Sequence, residues 1–220
     1  MDEKQKDSPV KELVVSLPGK EIKLFITADF EALITDLEDE DKVPCWAEVW
    51  PAAYGLARHI WEHVDFNPSH EVLELGAGMG LPGIVCGLKG ARLTLSDFNP
   101  QALEMAGTNA AVNGVVADLL LADWRSFSEK KLFDLMLASD ILYAPKLNPH
   151  LGQIFHKNLR PGGSVLISHP QRRATYEFIE DWYDPHCFTQ KIALEQVELK
   201  DALLPSYDIA IHDFRKRDIA

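Results

Sequence analysis

A chain of 220 residues with 46% hydrophobic content can bury a sizeable core, and its length fits one large domain or one domain with an appendage. The formal net charge of −12 argues against a nucleic-acid backbone as main partner, because phosphate binding needs a basic surface. Three cysteines, Cys45, Cys86 and Cys187, stand far apart with no disulfide or metal spacing, so a reducing, cytoplasmic compartment is expected, with no signal peptide and no membrane span.

Residues 11–17 and 21–26 flank Pro18-Gly19, which is hairpin chemistry with glycine supplying the positive φ. The nearly continuous acidic run 36–41 reads either as a solvated loop or as a docking patch for a basic segment of a substrate protein. Next, Trp46 and Trp50 precede a helix opened by Pro51, with Ala53, Leu56, Ala57, Ile60 and Val64 forming its core-facing stripe. The tryptophans are either packing residues or walls against a cationic ligand.

The centre of the chain is Glu71-Val72-Leu73-Glu74-Leu75-Gly76-Ala77-Gly78-Met79-Gly80. A short apolar strand runs into glycines at alternate positions and then into the apolar helix 81–88. That layout brings backbone close to a nucleotide-like ligand. A second strand ends at Ser96-Asp97, an acid placed to accept hydrogen bonds from ribose hydroxyls. An ordinary strand–helix–strand unit with a capping Asp is the plainer reading. Pro100 opens the next helix, with Ala102, Leu103, Ala106 and Ala110 on its apolar face and Asn113-Gly114 as its stop.

A third strand, 119–121, leads to Asp123-Trp124, an acid and an aromatic that could bond to and stack on a purine. The fourth, 133–138, ends at Ser139-Asp140-Ile141-Leu142-Tyr143. A helix over 147–159, a turn at Pro161-Gly162-Gly163, a fifth strand over 164–168, a helix over 175–182 and strands near 188–197 and 206–214 complete the chain. Strands alternating with helices imply a mainly parallel α/β sheet covered on both faces, with ligands outside the carboxyl ends of the strands. Gly76, Asp97, Trp124 and Asp140 all fall there. His59, His63 and His169 are read as surface or capping residues without metal-ligand spacing, and no metal is expected. His169-Pro170 is placed to border the site.

The segment 74–80 resembles motif I of the seven-strand S-adenosylmethionine-dependent methyltransferases, Ser96-Asp97 their acidic motif II, and Asp123-Trp124 their adenine-contacting position. With residues 46–60 and the Asp-x-x-Tyr of Asp140 and Tyr143, the chain resembles the protein-lysine methyltransferase group. That group has been labelled nicotinamide N-methyltransferase-like and includes enzymes acting on valosin-containing protein and the electron-transfer flavoprotein β-subunit. The resemblance implies a Rossmann-like seven-strand sheet, mostly parallel with an antiparallel last strand. A β-hairpin extension would occupy residues 1–43 and the cofactor-binding domain residues 44–220.

It also implies roles. Trp50 would lie against S-adenosylmethionine, Gly76, Ala77 and Gly78 would pass beneath it with Glu74 behind them, and Asp97 would hold the ribose. Trp124 and Asp123 would meet the adenine, and Ser139 would contribute backbone near the sulfonium. Asp140 and Tyr143 would line the target-amine site as catalytic residues. Their plainer readings are a helix N-cap and a packing aromatic.

The expected activity is methyl transfer to a protein lysine by a monomer with a protein partner. A small-molecule N-methyltransferase and a cofactor-binding scaffold without turnover are the alternatives. The absence of Asn-Pro-Pro-Tyr after the fourth strand disfavours adenine or glutamine-amide methylation. Glu74, Trp124 and Asp140 argue against a nicotinamide dehydrogenase.

Overall fold

The computed structural model describes residues 10–34, 43–199 and 205–218. The acidic run 36–41, with both of its readings, lies outside the described residues. Strands β1 (Val10–Leu17) and β2 (Lys20–Thr27) form an antiparallel hairpin. Helix α1 (Pro51–His63) follows, then β3 (Glu71–Leu75), α2 (Leu81–Leu88), β4 (Arg92–Asp97), α3 (Pro100–Val112), β5 (Ala117–Leu121) and β6 (Phe133–Ser139). The chain ends with α4 (Asn148–Asn158), β7 (Leu159–His169), α5 (Arg173–Trp182), β8 (Phe188–Glu198) and β9 (Ser206–Lys216).

The main sheet has the order β5-β4-β3-β6-β7-β9-β8. All neighbours from β5 through β7 are parallel, while β9, the last strand in sequence, runs antiparallel to β7 and β8. The chain steps outward from β3 to β4 and β5, then returns to lay β6 on the other side of β3. This reversal opens a crevice between the carboxyl ends of β3 and β6, where sheets of this kind bind ligands.

Alternation along the strands explains why both faces are covered. Val72, Leu135, Leu137, Leu166, Ile209 and Ile211 point into one apolar cluster with α1, α2 and α3. Leu73, Leu75, Met136, Ala138, Val165, Ile167 and Phe214 point into the other, against α4 and α5. The near-continuous apolar runs in the sequence follow from this two-sided burial.

The fifth strand begins earlier than the sequence suggests. Pro161-Gly162-Gly163 does not precede β7 but bulges within it: Phe133 pairs with Leu159 and Leu135 with Ser164, and Gly162 adopts φ 73°. A glycine-rich insertion absorbs the extra residues without ending the ladder.

The hairpin packs on the body through Val15, Leu17, Ile22, Leu24 and Ile26, all within the first cluster. Burying each such side chain contributes about 1.5–3 kcal/mol as an upper estimate. Two asparagines, Asn109 of α3 and Asn113 at its C-terminal cap, finish the attachment. Asn109 Oδ1 accepts from Phe25 N (2.7 Å) and its Nδ2 donates to Phe25 O (3.1 Å). Asn113 repeats this with Lys23 N (3.1 Å) and Lys23 O (2.7 Å). Four residues of helix rise about 6.0 Å and two residues of strand about 6.7 Å, so side-chain amides at i and i+4 stand in for a neighbouring strand.

Candidate active site

Register brings the site together. Leu75 pairs with Ser96 on one side and Ala138 on the other, so Gly76 emerges level with Asp97 and Ser139. Gly76, Gly78 and Gly80 have φ of 60°, 51° and 80°, which side chains with a Cβ rarely adopt. Space adds to the demand: a Cβ on Gly76 would lie 2.9 Å from Ile141 Cγ2 and 3.0 Å from Trp124 Cζ2. One on Gly78 would lie 3.2 Å from the Trp46 carbonyl oxygen. The segment before α1 therefore crosses close over the glycine turn. Its short 3-10 turn, Cys45–Ala47, is tied by the Trp50 indole, which donates to Cys45 O at 2.6 Å.

Two acids stand behind the turn. Glu74 is 1% exposed and accepts from Gly83 N at 2.9 Å, at the start of α2. Burial pushes its carboxyl up to about 8, with Asp97 adding to the rise and the Gly83 bond opposing it. Asp97 accepts from Gly78 N (3.0 Å) and Asn99 N (2.9 Å), so it holds the turn and the entry to α3 in one geometry. Burial raises its pKa too, against the pull of these bonds. Asp123 is folded back on Arg125, which donates from Nε and Nη2 at 2.9 and 2.7 Å to Oδ2, and this keeps its carboxyl below the ordinary value.

Asp140 follows β6 with φ 52°, an uncommon conformation for a residue with a side chain, held where its N–H donates to Ser168 O at 2.8 Å. It is no helix N-cap, because α4 starts after Leu147. Its carboxylate is buried and takes a two-pronged bond from Arg172, Nε to Oδ1 at 2.5 Å and Nη2 to Oδ2 at 2.8 Å. Burial raises the Asp140 pKa and Arg172 works against it, while the carboxylate raises Arg172 in turn. The fork geometry, the strongest arrangement for such groups, argues for an ion pair.

Trp50, Glu74, Gly76, Ala77, Gly78, Asp97, Asp123, Trp124, Ser139, Asp140 and Tyr143 all line one cavity at the crevice, with Tyr143 46% exposed at its rim. Trp46, read in the sequence as either a packing residue or a wall against a cationic ligand, lines it too, as do Cys45, Glu48, Phe98 and Ile141, which carried no site role in the sequence. Nor did Arg172: its only signal is a place just past β7, beside β6. His169 is no surface residue. It is fully buried, accepts from Arg172 N at 2.9 Å through Nδ1, and lies 3.1 Å from His212 Nε2. Burial and the neighbouring His212 and Arg172 depress its pKa to about 4, so the imidazole is neutral.

The fold, with its glycine turn and acids at the switch point, is that of the Rossmann-like seven-strand methyltransferases. Residues 29–182 match the family described as lysine methyltransferase, and the chain belongs to that family. It is 37% identical over 105 residues to the histone-arginine methyltransferase METTL23 of Xenopus laevis, covering 44% of this chain and 45% of that protein. It is 32% identical over 142 residues to the protein N-lysine methyltransferase METTL21A of Xenopus tropicalis, covering 61% and 65%. The match thus spans about half the length of the first of these relatives and under two thirds of the second. Among solved structures, the N-methyltransferase NodS of Bradyrhizobium japonicum with S-adenosyl-L-homocysteine superposes with a TM-score of 0.56 at 19% identity, covering 85% of this chain and 97% of that one. At that identity the likeness shows the fold alone.

Proposed function

We propose that the chain is an S-adenosylmethionine-dependent methyltransferase acting on a lysine side chain of a protein. One observation carries this reading: the glycine turn, Asp97, Trp124 and Asp140 converge on a single cavity at the switch point of a family-typical sheet. The residues present fit the donor. Gly76 and Gly78 let Trp124, Ile141 and the Trp46 backbone close against the turn that lines the cavity, and Asp97 presents a buried carboxylate beside it. In this reading Trp50, Ala77 and Ser139 pack about the donor's methionine end, Trp124 and Asp123 border the adenine, and Glu74 braces the turn. The donor supplies an activated methyl group. The chain supplies alignment and exclusion of water.

The acceptor must be neutral to attack, and a lysine amine ordinarily titrates near ~10.4. The Asp140–Arg172 pair meets it with no net charge, and the adjacent guanidinium disfavours the ammonium form. Lone pairs of Asp140 not used by Arg172 accept a hydrogen bond from the amine and aim its own lone pair at the methyl carbon. Tyr143 walls the entry. The acceptor is a protein segment reaching the open rim, and the enzyme works as a cytoplasmic monomer. Three unpaired thiols support the reducing compartment.

An arginine acceptor is the second reading. It is favoured by the similarity to a histone-arginine methyltransferase and by a buried carboxylate that already accepts a guanidinium fork.

The test is incubation of the full chain with tritiated S-adenosylmethionine and a lysate lacking it, read on a denaturing gel and then by amino-acid hydrolysis. A discrete band carrying methyl-lysine, lost with Asp140→Ala while donor binding persists, is the expected result. Methyl-arginine in that band selects the second reading. Label only among small molecules would move the assignment to a metabolite methyltransferase. No label in either fraction, with donor binding intact, would leave a scaffold.

A further inference from the structure

His59 and His63, read in the sequence as surface or capping residues without metal-ligand spacing, stand side by side in the fold, His63 exposed and His59 half-buried. They lie four residues apart on α1, so one helical turn brings them to the same face, with ring centroids 5.0 Å apart. That face packs against the outer strand β8, which contributes Glu195. Glu195 Oε1 lies 3.4 Å from His59 Nδ1, and one ligand atom from each of the three residues falls within 4.8 Å of the others.

We infer that His59, His63 and Glu195 form a binding site for a divalent transition-metal ion, with zinc as its natural occupant. Two imidazoles and one carboxylate are a recurrent zinc ligand set that leaves one position for water. With metal–ligand bonds of about 2.0–2.2 Å, tetrahedral ligands stand about 3.3–3.6 Å apart. The His59–Glu195 pair is already at that separation. His63 has only to rotate inward, and its side chain is 57% exposed and free to do so, whereas those of His59 and Glu195 are 15% and 13% exposed and held by packing. Glu62, itself paired with Arg58, has Oε2 4.0 Å from His63 Nε2 and can orient that ring from behind. A net charge of −12 favours cation uptake in general.

The site is remote from the methyl-transfer cavity. His59 stands six residues along α1 from Ala53, the last residue of that helix to line the cavity, about 9 Å of helix. The ion would therefore act on structure. Within the main sheet β8 has β9 as its one neighbour, and a metal bridging β8 to α1 would fasten that outermost strand to the body.

The experiment is calorimetric titration of the chelator-stripped full chain with zinc chloride, repeated with cobalt(II) read by visible absorption, on wild type, His63→Ala and Glu195→Gln. Expected are one equivalent of zinc bound, cobalt bands of a nitrogen–oxygen tetrahedral site, and a zinc-dependent rise in Tm. In each variant affinity should fall by more than about tenfold. His63→Ala removes an exposed side chain, so its fold should be preserved, as circular dichroism will verify. Absence of saturable zinc binding by the wild type would overturn the proposal. So would undiminished binding in both variants, or a sulfur-to-cobalt charge-transfer band, which would put the ion on a cysteine.

Discussion

Arg172 sets what Asp140 can do. A buried carboxylate alone would gain a proton readily, and the guanidinium fork opposes that by bonding to both of its oxygens. Arg172→Met should leave donor affinity unchanged and lower methyl transfer by about tenfold or more. The pH profile gives a sharper reading. Asp140 already titrates above its ordinary value because of burial. Without Arg172 nothing opposes that burial, so the acid limb of kcat should move to higher pH. Arg172→Lys retains the charge but not the fork and should fall between the two. An acid limb that stays in place in Arg172→Met would separate Asp140 ionisation from turnover. None of this was legible in the sequence. Asp140 announced itself through Asp-x-x-Tyr at a strand end, whereas Arg172 is brought to it only by the pairing of β6 with β7.

Among the elements, the strands and helices that carry the site were legible because their apolar runs and glycine stops are local signals. What escaped was contact between distant segments: the bulge inside β7, the buried His169–His212 pair, and the bonds of Asn109 and Asn113 to the hairpin. Asn109 would pass in sequence for an ordinary helix residue. In the fold it is fully buried and also donates to Met79 O at 3.1 Å, which links the hairpin to the glycine turn. Asn109→Ala strands the Phe25 N–H and carbonyl together with the Met79 carbonyl. The expected loss is about 2–4 kcal/mol in urea unfolding, accompanied by weaker donor binding in calorimetry. Asn113→Ala, at a more exposed position, should cost less than about 1.5 kcal/mol and leave donor binding alone. Equal losses from the two variants would mean that Met79 is not a coupling point.

For the molecule as a whole, Glu74 links stability to pH around neutrality. Its folded-state value of about 8 lies above the ordinary 4.5, so between these limits the folded chain keeps a proton that the unfolded chain releases. Stability therefore falls as pH rises through this window, by up to about 1.4 kcal/mol per unit, and levels off above it. His169 works in the opposite sense below its ordinary 6.5, since the unfolded chain takes up a proton there and the folded one resists down to about 4. From about pH 7.5 to 8 a histidine of ordinary pKa is already largely neutral, so this interval reads mainly the carboxyl. Thermal melts across it should slope downward for wild type and lie flat for Glu74→Gln; parallel slopes would show that Glu74 is ionised in the fold. The class of fold was readable from the order of elements, but this balance was not, because it depends on how much water each acid loses.

The asparagine pairing on β2 also bears on how molecules meet one another. A two-stranded ribbon with open backbone groups is a template on which a further chain can polymerise. At Lys23 and Phe25 those groups are already taken by a helix, which presents no fresh strand to continue the series. Growth from this side of the ribbon is blocked at those two residues by the chain's own side chains.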